Sequence, residues 1–216
     1  DSVTWTQTYD TANAGTGKTL TPAGTVSDGN AGADYAVTYA TVTTGAITPK
    51  TLTATVTTQN RAYDGTTDGT ITGCTLSGVI GTEDVTCVTS GATATFDTKH
   101  IGTAKTVTIA GLTTGGSATL ANYTLASGAS SSANITTRAI TVTATTGSKA
   151  YDGTTSSAGT PTITTGSLAS GDSVTWTQTY DTANAGTGKT LSPAGTVSDG
   201  NAGADYAVTY ATVTTG

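Results

Sequence analysis

The two ends of this 216-residue chain carry the same sequence. Residues 1–45 recur at 172–216, an offset of 171 positions, and differ only where Thr21 becomes Ser192. Two halves of one catalytic domain diverge as each acquires its own task. Near-identity within a chain points instead to a tandem array whose units all do the same mechanical or adhesive work. A weaker repeat lies inside the first. Arg61-Ala62-Tyr63-Asp64-Gly65-Thr66-Thr67 returns 88 residues later as Lys149-Ala150-Tyr151-Asp152-Gly153-Thr154-Thr155. Phe96-Asp97-Thr98 and Gly102-Thr103-Ala104-Lys105 correspond to Tyr180-Asp181-Thr182 and Gly186-Thr187-Gly188-Lys189, and Ala121-Asn122-Tyr123 corresponds to Ala204-Asp205-Tyr206. The spacing divides the chain into the C-terminal half of a module (residues 1–46) and two complete modules (47–134 and 135–216). With no Met anywhere, the chain reads as a window cut from a longer array.

Alternation with period two dominates, and helical periodicity is absent. Val174, Trp176, Gln178 and Tyr180 point one way while Ser173, Thr175, Thr177 and Thr179 point the other. Leu52, Ala54, Val56 and Ile140, Val142, Ala144 form the core faces of two opening strands, and Tyr206, Val208, Tyr210 one face of a closing strand. Short strands separated by Asp-Gly turns predict an all-β fold of tandem small β-sandwich modules, immunoglobulin-like in character. A β-grasp-like module is the alternative, but no segment reads as the helix it needs. The short connection from Val42 to Leu52 predicts a stiff, extended rod.

A net charge of −6 argues against nucleic acid, which needs a basic stripe, and against an anionic membrane surface. No apolar run reaches the ~18 residues of a membrane span. Thr makes up roughly a quarter of the chain, so the surface is hydrated through hydroxyls more than charges, as an exported fibre would be.

Several clusters invite a functional reading. Cys74 and Cys87 flank a turn-rich stretch, and a disulfide between them would be worth ~3 kcal/mol and would fit an oxidising compartment. The alternative is two unpaired small hydrophobes. Tyr63-Asp64-Gly65 and Tyr151-Asp152-Gly153 read as turns, with Asp bonding backbone, Gly taking positive φ and Tyr packing beneath. A recognition loop is the competing reading. Asp28, Asn30 and Asp34, with their copies Asp199, Asn201 and Asp205, sit in glycine-rich loops that loosely suggest calcium but lack a closing Glu and the usual alternation of acids, so a polar turn is the favoured reading; calcium is the sole cofactor candidate. His100 is the only histidine, so neither a zinc site nor a Ser-His-Asp triad assembles, and it reads as a solvated loop residue. Residues 1–46 lack the strands that 135–171 supply to the second copy. Their apolar face, Val3, Trp5, Tyr9, Tyr35, Val37 and Tyr39, should therefore be disordered or capture strands from another chain.

The Tyr-Asp-Gly-Thr-Thr opening, aromatic-Asp pair, Gly-Thr-x-Lys turn and closing Asn/Asp-Tyr together resemble the YDG/MBG-type modules of large bacterial surface proteins, including filamentous-haemagglutinin-like adhesins. The resemblance covers nearly the whole chain. It implies an extracellular, cell-surface stalk or adhesive repeat and no catalytic residues. The expected partners are copies of itself or adjacent repeats, or a glycan or host-surface ligand, and no nucleic acid or membrane insertion. A non-enzymatic structural segment giving reach, stiffness and self-association is the leading expectation; a module that binds glycan or host protein directly is the alternative.

Overall fold

The computed structural model describes residues 1–214. Its regular elements are strands, apart from a single 3-10 turn at Leu120–Asn122. Thr, Val, Ile and Tyr in period-two runs leave β-pairing as the way to satisfy the backbone while burying one face. The all-β expectation is met, as several small sheets.

The chain divides into two compact units. The first comprises Asp1–Thr55, Cys74–Ala92 and Gly111–Ala129. It holds an antiparallel sheet ordered Ser2–Tyr9, Gly15–Ser27, Val42–Ile47, and a two-stranded ladder of Thr86–Val88 with Thr113–Gly115. Cys74 and Cys87 are joined as a disulfide with Cα atoms 5.8 Å apart. The second unit comprises Val56–Gly73, Thr93–Ala110 and the chain from Ser130 onward. It contains a five-stranded sheet ordered Arg61–Ala62, Ser130–Thr136, Gly102–Ala110, Thr93–Phe96, Asp68–Gly69. A second sheet runs Thr162–Thr165, Arg138–Thr143, Tyr206–Ala211, and a hairpin pairs Ser173–Tyr180 with Leu191–Ser198.

Each complete repeat is closed in the same way. Its opening strand pairs in parallel with its closing strand: Lys50–Leu52 with Tyr123–Leu125, and Arg138–Thr143 with Tyr206–Ala211. The opening strands bury most of the faces that alternation assigns to the core: Leu52, Val56, Ile140 and Val142 are buried, as is Ala144 just past its strand, and Ala54 is half-buried. Each larger side chain removed from water in this way contributes ~1.5–3 kcal/mol.

Residues 1–46 differ from expectation. Ser2–Tyr9 is paired along its whole length with Gly15–Ser27, from Ser2↔Ser27 to Tyr9↔Leu20, because this hairpin draws both strands from the segment itself. Residues 28–41, which include the copy of the closing strand, carry no strand. The apolar face nevertheless stays open to solvent at Val3, Trp5, Tyr9, Tyr35, Val37 and Tyr39.

Candidate functional site

Three copies of one hairpin loop, at 9–18, 96–105 and 180–189, are built by the same short-range chemistry. In each, the Asp of the aromatic-Asp-Thr triplet accepts the backbone N–H of the following Thr: Asp10 from Thr11 (2.9 Å), Asp97 from Thr98 (2.7 Å), Asp181 from Thr182 (2.8 Å). The Lys of Gly-Thr-x-Lys then reaches back to that Thr hydroxyl, as Lys18 to Thr11, Lys105 to Thr98 and Lys189 to Thr182. The x position takes the left-handed region, at Gly17 (φ 69°) and Gly188 (φ 67°), and Ala104 is forced into it at φ 48°. The loop is thereby pinned at both ends, and its tip presents Asn13-Ala14, His100-Ile101 or Asn184-Ala185.

The facing element is the loop preceding the closing strand Tyr206–Ala211, which has a copy at residues 28–34. Asp199 Oδ1 accepts the N–H groups of Asn201 (2.7 Å) and Gly203 (2.8 Å), and Oδ2 that of Asp205 (3.0 Å). Asp28 does the same with Asn30, Gly32 and Asp34. Burial raises the Asp199 carboxyl, but the N–H groups of Gly203, Asn201 and Asp205 outweigh it and hold the group below the usual carboxylate range. The N–H groups of Gly32 and Asn30 lower Asp28 likewise. Backbone donors thus converge on a carboxylate, whereas a calcium loop needs oxygens converging on a cation. Among the described residues no three His, Cys, Asp or Glu side chains are grouped to hold a metal ion. The loop works as a turn that fixes the next residue, Asp205 or Asp34.

That next residue makes the joint. Asp205, fully buried, accepts the Ile101 N–H at 2.9 Å and lies 2.6 Å from His100 Nδ1. One repeat earlier, Asn122 accepts the Ala14 N–H at 2.7 Å and donates to Asn13 Oδ1 at 3.0 Å. Loop-tip residue, following amide and partner Asx therefore meet in the same way at both junctions. His100 is accordingly not a solvated loop residue. It sits beside a buried carboxylate that needs donors, where the other copies have Asn.

The closing tyrosine completes the surface. Tyr206 Oη accepts the Ala169 N–H (2.7 Å) and donates to Asp172 (2.7 Å). Tyr123 accepts from Ile80 (3.1 Å) and donates to Glu83 (2.7 Å), and Tyr35 donates to Asp1 (2.7 Å). Burial, with the Asp172 carboxylate adding to it, pushes the Tyr206 hydroxyl up to about 12 even though the Ala169 N–H works the other way. Onto this packs Tyr63, edge-to-face with Tyr206 at 5.6 Å, its hydroxyl 3.4 Å from Asp172 and its ring 5.8 Å below Lys99 Nζ. Burial above all, then Asp172, raises the Tyr63 hydroxyl well beyond its ordinary range.

The Tyr-Asp-Gly turn has the backbone form that the sequence suggests. Asp64 and Asp152 each accept the N–H and hydroxyl of the Thr two residues on, and Gly65 and Gly153 take φ of 85° and 76°. Arg61 and Lys149 pair with those carboxylates. The tyrosines depart from expectation. Tyr63 does not simply pack beneath its own turn: it is covered by Tyr206 and Asp172 of the following repeat, while Tyr151 is 71 % exposed. Sequence reasoning missed the joint because its members are far apart in the chain. The available signal was the constant position of Asn13, His100 and Asn184 two residues after Asp-Thr, and of an Asx immediately before the closing Tyr.

Residues 48–132 and 136–215 each match the YDG domain. Neither a curated protein nor a solved structure matches the chain.

Proposed function

The chain belongs to the YDG domain family, with two copies covering most of its length, and we propose that it is a non-catalytic structural segment of a secreted bacterial surface fibre or adhesin stalk, of the filamentous-haemagglutinin-like kind. Its modules are small β-sandwiches that act by reach and stiffness. The observation that carries the reading is the junction itself. The same Asx–amide clasp recurs where residues 1–46 meet the next module and where that module meets the third. A tether that only needed to span distance could use a flexible spacer. A buried carboxylate and a ring-on-ring contact between repeats resist bending.

Small-angle scattering tests this on the whole chain and on a Tyr63→Ala/Asp205→Ala double variant. A stalk requires native scattering that fits one rigid arrangement of the last two modules, and a broadened spread of dimensions in the variant. Native scattering that already demands a freely hinged ensemble would sink the proposal.

A second reading rests on a different feature. Trp5 stands edge-on to Tyr39 and Trp176 to Tyr210, both at 6.1 Å, and each Tyr hydroxyl is anchored on the carbonyl of Gly24 or Gly195. Trp5, Tyr39 and Tyr210 are exposed and Trp176 is half-buried, so the module carries a pre-arranged aromatic pair suited to a sugar face or a host protein. Saturable binding on a glycan array that Trp176→Ala abolishes would establish it.

A further inference from the structure

The two joints share one backbone bond and differ in the chemistry around it. Each lies within one of the two compact units. In both, the loop tip of one repeat gives an amide, that of Ala14 or Ile101, to an Asx side chain on the closing face of the next. The tip at the second joint carries two basic side chains, Lys99 and His100. The face opposite holds two carboxylates, Asp172 and Asp205, whose side chains are 2 % and 0 % exposed. His100 Nδ1 lies 2.6 Å from Asp205 Oδ2, and Lys99 Nζ lies 3.9 Å from Asp172 Oδ1. At the first joint the tip is neutral, with Ala12 and Asn13 at those positions, and Asn122 stands in place of the buried acid and donates to Asn13 at 3.0 Å. The carboxylate that accepts from its closing tyrosine, Glu83 from Tyr123, stays exposed.

Every closing face in the chain offers an Asx oxygen, at Asp34, Asn122 or Asp205, so the amide bond alone does not distinguish one face from another. Charge does. Asn13 has Asp34 in its own repeat and Asp205 two repeats on, yet it meets Asn122, the neutral face. His100 has the neutral Asn122 in its own repeat and meets Asp205. Placing the Asn13 tip on an Asp face would bury a carboxylate with no basic partner. Placing Lys99 and His100 on the Asn122 face would draw two basic side chains out of water with no buried acid to receive them. Either mismatch is more costly than the pairing observed. Unpaired charge in the wrong complex is a general source of specificity, and docking on the wrong neighbour is the characteristic hazard of near-identical repeats.

We propose that the tip residues Lys99 and His100, and their counterparts Ala12 and Asn13, are the specificity determinants of repeat docking. A Lys-His tip takes as its partner a repeat whose closing face carries two buried carboxylates, and an Ala-Asn tip takes one whose face carries Asn in place of the buried Asp. Charge matching thereby directs each tip to the face of the following repeat, away from the face of its own repeat and from the one beyond. The inference rests on the structural reading above and deepens it by assigning the kind of repeat that each tip accepts.

Hydrogen exchange of single amides in the full chain tests this, because the Ile101 N–H is freed when the second joint opens and the Ala14 N–H when the first does. His100→Asn and Asp205→Asn should each lower the protection of Ile101 by ~10-fold or more, since each leaves one partner of the pair unmatched. The double variant installs the Asn-Asn pair of the first joint and should return Ile101 to within ~3-fold of native. In the reciprocal test, Asn122→Asp should lower the protection of Ala14, and Asn13→His should restore it in that background. Unchanged protection of Ala14 in the second-joint variants verifies that the chain stays folded. A double variant no better protected than Asp205→Asn alone would overturn the proposal and leave Asp205 as a plain acceptor for the Ile101 amide. Native protection in His100→Asn would overturn it as well. Neither result bears on the stiffness of the junction, which scattering reads separately.

Discussion

Residues 1–45 and 172–216 are one sequence in two states, and their differences isolate what neighbours contribute. The hairpin is the same in both, pairing Trp5 with Gly24 and Trp176 with Gly195 in one register. The closing strand is not. Tyr206–Ala211 is a strand because Arg138–Thr143 lies beside it in parallel, whereas residues 35–40, with identical side chains, have no such partner and form no strand. Burial follows pairing. Gln178 is buried and bonds both the N–H and the carbonyl of Thr145, while its twin Gln7 is exposed. A hairpin is specified by residues near in sequence, and a parallel pair needs a segment from far along the chain.

The largest effect that could break this comparison comes from its most buried aliphatic. Leu191 is fully buried against Ala144, Tyr180 and Val213, and Leu20 in the first copy is only half-buried. Leu191→Ala should cost ~2–5 kcal/mol and Leu20→Ala clearly less, as shifts in urea midpoint. Equal losses would mean that the first copy finds an equivalent core in solution.

The second effect is on the alkaline limb. Tyr206 ionises near 10 when unfolded and about 12 when folded, so its contribution is complete below pH 10 and is lost as pH rises through about 12. Thermal midpoints measured across that window should fall in native protein and fall less in Tyr206→Phe, with Tyr35→Phe as the baseline from the exposed copy. A fall of the same size in Tyr206→Phe would remove the buried hydroxyl as its cause.

The smallest effect sharpens the alignment of the three loops. Ala104 occupies the left-handed position where the other loops have Gly17 and Gly188. Ala104→Gly should raise stability by up to ~1 kcal/mol, the relieved strain being offset in part by the greater freedom of the unfolded glycine. Destabilisation would show that the Ala104 methyl group contributes packing that the backbone comparison misses.

Much of the fold was legible. Alternation in Val174–Tyr180 and Leu52–Val56, the Asp-Gly turns and the repeat spacing are local patterns, and local patterns are written in order along the chain. The cysteine pair was legible as one of two readings, and the structure joins Cys74 to Cys87. The joint was not legible. His100 and Asp205 lie 105 residues apart, and nothing local to either announces the other.

By itself, then, the sequence determined that this protein is β-rich with a repeated domain, which strand faces alternate, and that the Tyr-Asp-Gly segments are turns. Steric and hydrogen-bonding preferences within a few residues are enough to fix those features. Only the tertiary structure decided which copy of a residue is buried, why Tyr63 and Tyr151 have opposite exposures, and that Asx and tyrosine side chains join one repeat to the next. Burial of a carboxylate or a ring depends on what stands opposite it in space, and identical sequences can face different neighbours.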